Sequence, residues 1–184
     1  MVFNKFKAAT LISSAFLLVI FSAVLLSKKP FLVSKNNESS NLIASIDSTV
    51  NLRGSDTQYK NLLLNFSIFY PNNLKITETS KGNTSTIIFN DKKENRGFQV
   101  FVVPYLENEI SEERLKMDLP SGIILEQKSI TVDGVPATTF FSKNTKIGDT
   151  KEIWFIKNGF LYEIMTYKDL DNWLLEIMKT WKFI

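Results

Sequence analysis

The chain has 184 residues, 44% of them hydrophobic, with 15 Phe, no Cys and no His. Without thiols there are no disulfides, no Cys lipidation and no thiolate nucleophile; without imidazole, Ser-His-Asp and Cys-His catalysis and most zinc sites are closed. The net charge of +3 is unevenly held, with seven basic and three acidic groups in residues 1–60 against 15 basic and 16 acidic in 61–184, so the larger part offers no electrostatic footprint for a phosphate backbone and no nucleic-acid partner is expected.

Residues 1–7 form a short N-terminal tail carrying Lys5 and Lys7. Residues 8–27 are a run of 20 uncharged residues, followed by Lys28, Lys29 and Pro30. At a helical rise of about 1.5 Å per residue the run spans about 30 Å, one hydrocarbon core. A cleaved signal peptide has a shorter apolar core and a small-x-small cleavage site. Leu25 sits three residues before a cut after Ser27 and fits that site poorly. The expectation is therefore an uncleaved transmembrane signal-anchor helix. Lysines in so short a tail favour its retention inside, which places the rest on the extracytoplasmic side of a single-pass cell-membrane protein.

Residues 28–61 are rich in Ser, Asn and Lys and read as a polar flexible linker, with a reach of roughly 30 Å. Within it Leu42, Ile43, Ile46 and Val50 make a short apolar patch at helical spacing.

Residues 62–184 read as one α+β domain. Turn signals divide its first half into strands Leu64–Tyr70, Leu74–Thr79, Thr84–Asn90 and Phe98–Tyr105. Asp133-Gly134 and Asn158-Gly159 are hairpin signals, because a type I′ turn needs positive φ at both centres. They set out a meander of Ile124–Thr131, Val135–Ser142, Thr150–Ile156 and Phe160–Tyr167. Ser111 caps a short helix whose first turn holds Glu112 and Glu113. Asp169 is the expected cap of a C-terminal helix with a stripe of Leu170, Trp173, Leu174, Ile177, Met178 and Trp181. Phe98–Val103 and Ile153–Ile156 are apolar on both faces, so their sheet needs cover on both sides. The expected architecture is an antiparallel β-sheet sandwiched between helices.

The order of these motifs resembles the PsbP-like family: the C-terminal domain of the photosystem II extrinsic protein PsbP and its bacterial relatives. Phe66-Ser-Ile-Phe-Tyr-Pro71 is similar to that family's opening strand, Gly97-Phe-Gln-Val-Phe-Val102 to its central strand, and Ile130 to Ala137 to its hairpin. Leu174 to Phe183 is similar to its closing helix and final strand stub. The resemblance covers about residues 62–184 and implies a non-catalytic accessory or assembly role on membrane complexes. Metal sites in plant members use His, so no metal residue carries over.

Three candidate sites have ordinary structural explanations. Glu107, Glu109, Glu112, Glu113 and Asp118 are the densest acidic stretch, but no D-x-D-x-D-G loop is present, and they read as helix-start acids beside a solvated loop. Asp169 and Asp171 read as capping residues rather than an acid–base pair. Trp154, Trp173, Trp181 and Tyr162 have core spacing rather than that of a ligand cleft. No catalytic, cofactor or metal residue is therefore assigned, and no cofactor is expected. The expected function is a membrane-tethered, non-catalytic binding or assembly module, its partners the membrane through the N-terminal helix and a protein or envelope component. The alternative is a small-ligand or metal-ion carrier on the same anchor.

Overall fold

The structure, a computed structural model, describes the backbone of residues 44–45 and residues 56–119, 121–143 and 147–184. The expected anchor, residues 8–27, lies outside the described residues, as does most of the linker. Among the described residues no helix is long and apolar enough to cross a membrane.

Eleven strands and two helices are described. In chain order they are β1 (Ala44–Ser45), β2 (Asp56–Asn61), β3 (Phe66–Pro71), β4 (Lys75–Lys81), β5 (Thr84–Asp91), β6 (Arg96–Pro104), α1 (Glu112–Asp118), β7 (Ile124–Val132), β8 (Val135–Ser142), β9 (Thr150–Lys157), β10 (Phe160–Tyr167), α2 (Asp171–Met178) and β11 (Lys182–Phe183). An eight-stranded sheet runs β1-β7-β8-β9-β10-β6-β5-β4 and a three-stranded sheet runs β11-β3-β2. All pairings are antiparallel except the two-residue contact of β1 with β7.

Both hairpin turns form as their residues require. Asp133 and Gly134 have φ of 47° and 76°, and Asn158 and Gly159 of 53° and 79°. At Gly97 the β5–β6 pairing is so close that a Cβ would collide with the Phe89 carbonyl oxygen. Only glycine lets the two strands meet there.

The large sheet is covered on both faces. One face carries Ile87, Phe89, Phe98, Val100, Ile153, Phe155, Tyr162 and Ile164, and packs against α2 and the small sheet. Phe66 stacks on Trp181 with ring centroids 4.1 Å apart, and Phe89 stacks on Phe98 at 4.4 Å. The other face carries Val103, Phe140, Trp154 and Leu161 under α1, with Tyr105, Leu115 and Leu119 completing the layer. The cover is therefore a helix on one side and a helix plus three strands on the other.

Two sequence expectations are corrected. The stretch 28–61, read as flexible linker, contains β2, which pairs with β3 along its whole length. Its sequence DTQYKN looks solvated because an edge strand on the outer layer buries only Tyr59. Asp169 does not cap α2. The Asp149 carbonyl takes the Lys168 amide at 3.0 Å, and the chain first makes one 3-10 turn over Lys168–Leu170. The helix thus starts at Asp171, with Leu170 at the cap position and no side-chain hydrogen bond there.

Candidate functional site

The described residues offer two features that simple packing does not account for: an apolar end and a buried group of acids. The end is built by turns. Pairing of Pro104 with Phe160, Lys81 with Thr84, Val132 with Val135 and Ala137 with Phe155 brings the turns at 82–83, 133–134 and 158–159 to one end of the large sheet, and hydrogen bonds from Tyr162 to Leu64, Ile184 to Asn65 and Phe183 to Asp133 bring the 62–65 turn beside them. In the 62–65 turn, the Asn61 side chain accepts from the Leu64 amide at 2.9 Å, and Asn65 takes a positive φ of 52°. Leu64 turns inward, and its carbonyl accepts from the Tyr162 hydroxyl at 2.8 Å. Leu62 and Leu63 are left outside, 70% and 89% exposed. Leu106 at the end of β6 is 93% exposed, and Ile184, whose amide reaches the Asn65 carbonyl, is 49% exposed. Scattered exposed leucines are ordinary; several at one end, two of them adjacent on a turn tip, form an apolar feature that packing within the domain does not explain.

The buried acids lie under α1. Ser111 caps this helix by accepting from the Arg114 amide at 3.2 Å. Arg114 then reaches inward, its Nε pairing with Asp118 four residues on and its Nη2 lying 3.2 Å from Glu163 of β10. The Asp118 and Glu163 side chains are 4% and 6% exposed. Glu152 of β9 is also buried, and its hydrogen-bond partners among the described residues are neutral. Its carboxyl accepts from Thr150 at 2.7 Å and from the Trp154 indole at 3.2 Å, while Ser142 bonds to Thr150 at 2.7 Å. Burial pushes the Glu152 carboxyl up to about 7 against those hydrogen bonds. Burial, then the neighbouring Asp118, raises Glu163 well above the ordinary carboxylate range, despite Arg114.

The residues singled out from sequence do not converge. Glu107 lies 3.1 Å from the Tyr105 hydroxyl, which donates to the Glu109 carbonyl at 2.9 Å. Glu112 pairs with Lys116, Glu113 is exposed, and Asp118 alone turns inward. Among the described residues no three acids are placed to hold a metal ion. Asp169 is exposed, and Asp171 accepts from the adjacent Asn172 amide. Trp154 lies on the α1 face, Trp181 and Tyr162 lie on the other, and Trp173 is half-buried beside Phe98 and Arg96. An open groove of about 650 Å³ lies at the opposite end, lined by Phe141, Asp149, Tyr167 and Lys168 among others. Sequence reasoning passed over Glu152, Glu163 and Arg114. The available signal was Glu163 in FLYEIMTY, an acid in a strand apolar on both faces, which has nowhere to point but inward.

The arrangement of a large antiparallel sheet, a small sheet with α2 on one face and α1 on the other matches a solved structure. The solution structure of cyanobacterial PsbP (CyanoP) from Synechocystis sp. PCC 6803 aligns over 74% of this chain and 97% of that one, with a TM-score of 0.52 and 11% sequence identity. The chain has the PsbP-like fold. No family model and no curated protein matches the sequence. At that identity the likeness speaks for the PsbP-like fold alone.

Proposed function

We propose that this chain is a non-catalytic binding or assembly module, tethered to the cell membrane by residues 8–27, that docks a protein of a membrane complex through its apolar end. The observation that carries the reading is the outward-held pair Leu62 and Leu63, with Leu106 at the same end. Apolar side chains fixed outward by a hydrogen-bonded turn gain nothing for the fold and are recovered only by a partner. The PsbP-like fold supports the module reading, and the uncharged run at 8–27 supports the tether.

The test is in-cell cross-linking of the tagged full-length protein, followed by purification from detergent, in the native sequence and in a Leu62→Ser, Leu63→Ser, Leu106→Ser variant. One stoichiometric membrane protein recovered with the native sequence and lost with the variant is the expected result. Equal recovery from both, or no partner from either, contradicts the reading. Protection of the domain from protease added to intact spheroplasts would contradict the extracytoplasmic placement.

A further inference from the structure

The layer between α1 and the sheet holds more acid than base. Asp118 comes from α1, Glu152 from β9 and Glu163 from β10; among the described residues the cation ion-paired within this group is Arg114 of α1. β6 contributes the neutral Gln99 to this face and β8 the neutral Thr138 and Ser142, and the Tyr105 ring lies 5.9 Å from the Arg114 guanidinium. Glu112, Glu113 and Lys116 of α1 are exposed. If all three buried carboxyls were ionised, the layer would hold two uncompensated negative charges in a water-poor space, an arrangement interiors do not sustain. With Glu152 and Glu163 protonated, the Arg114–Asp118 pair makes the layer neutral. Glu163 then has a proton to share with Asp118, and Glu152 remains bonded to Thr150 and Trp154.

α1 is the element that yields when this balance fails. It has seven residues, and none of them is fully buried. It rests on Leu115, Leu119 and the Arg114 clamp, whereas the strands beneath are fixed by continuous ladders on both sides. A helix so short does not persist without its tertiary contacts.

We infer that α1 is a proton-held cover: it stays docked while Glu152 and Glu163 carry protons, and lifts from the β6–β9–β10 face when they ionise. Lifting lets water reach both carboxylates and uncovers Trp154, Phe140 and Leu161. The geometry of the cluster carries the inference, and the upward displacement of both carboxyls sets the direction, with docking favoured on the acid side and release on the alkaline side. Proton-dependent docking of α1 does not require the proposed partner, and each has its own readout.

The experiment is amide hydrogen exchange on the full chain, corrected for the intrinsic pH dependence of exchange, read at Leu115 and Leu119. Their amides donate to the Ser111 and Leu115 carbonyls at 3.1 Å and 2.9 Å. Protection at these two sites should fall about tenfold or more between about pH 5.5 and about pH 8.5, while β9 and β10 keep theirs. In a Glu152→Gln, Glu163→Gln variant the protection should stay level across that range. If the double variant does not fold, each single variant should keep part of the change. Level protection in the native sequence overturns the inference, as does an equal fall in every variant.

Discussion

The two faces of the large sheet are both buried, yet they are held by different means. The face under α2 and the small sheet is an aromatic stack in which Phe66, Trp181, Tyr162 and Phe155 pack ring on ring, with centroids 4.1 to 6.3 Å apart. The face under α1 is apolar at one end and at the other depends on protons and one arginine. Burial of rings is indifferent to pH. Burial of carboxyls is not, so one domain carries a permanent cover and a conditional one.

The comparison breaks most severely at the stack. Trp181→Ala removes a fully buried ring that contacts Phe66, Phe155 and Tyr162, and should cost about 3–5 kcal/mol in denaturant titration at any pH. Arg114→Ala acts on the other face and should cost about 3–5 kcal/mol at pH 5, where α1 is docked and its guanidinium is clamped between the buried Asp118 and Glu163 side chains. Its cost should shrink as the pH rises and α1 lifts from the sheet. A similar loss at pH 5 and pH 8.5 would remove the distinction between the faces.

Glu152→Gln sharpens the comparison. The native state binds the Glu152 proton more tightly than the unfolded chain does, so this group's contribution is fully present below its unfolded value of 4.5 and is lost as pH rises through about 7. The variant should match the native protein at acid pH and exceed it by about 3 kcal/mol at pH 8.5, seen as a flatter profile of melting temperature against pH. Asp133→Asn, which keeps a residue tolerant of the positive φ in this turn, is a smaller test at the apolar end. The Asp133 carboxylate accepts from the Phe183 amide at 2.9 Å and pairs with Lys182 at 2.7 Å, and its removal should cost about 1 kcal/mol. Partial burial works against the charge of Asp133, but those hydrogen bonds hold its carboxyl below the ordinary value. This contribution is therefore present above the ordinary carboxylate range and lost as pH falls, opposite in sign to Glu152. Leu63→Ser should change stability by less than about 0.5 kcal/mol, since the side chain touches solvent rather than core.

Strands β3 to β10 and α1 are legible because their signals are local. Asp133-Gly134 and Asn158-Gly159 demand their turns, Ser111 demands its helix start, and FQVFVV and IWFI demand cover on both faces. β2 was not legible, since an outer edge strand with a single inward side chain carries almost no alternation. The start of α2 was missed because Asp169 has the chemistry of a cap, while its place is decided by the distant Asp149 carbonyl. The buried acids were hidden for a related reason. Glu152, Glu163 and Asp118 lie on three separate elements, and only the strand register and the direction of Arg114 bring them together. Asp118 is a sequence neighbour of Glu107, Glu109, Glu112 and Glu113, none of which shares its environment.

The most direct test of the difference between the faces uses the protein's own indoles. The Trp154 Nε1–H donates to Glu152 at 3.2 Å on the α1 face, whereas Trp181 is stacked on Phe66 on the other. In a proton–nitrogen correlation spectrum of the full chain, assigned with Trp154→Phe and Trp181→Phe, the Trp154 indole should titrate with a midpoint near the Glu152 value of about 7 while the Trp181 indole stays fixed. A Trp154 signal unchanged from about pH 5 to about pH 9, or two indoles moving together, would contradict a proton-dependent cover on one face alone.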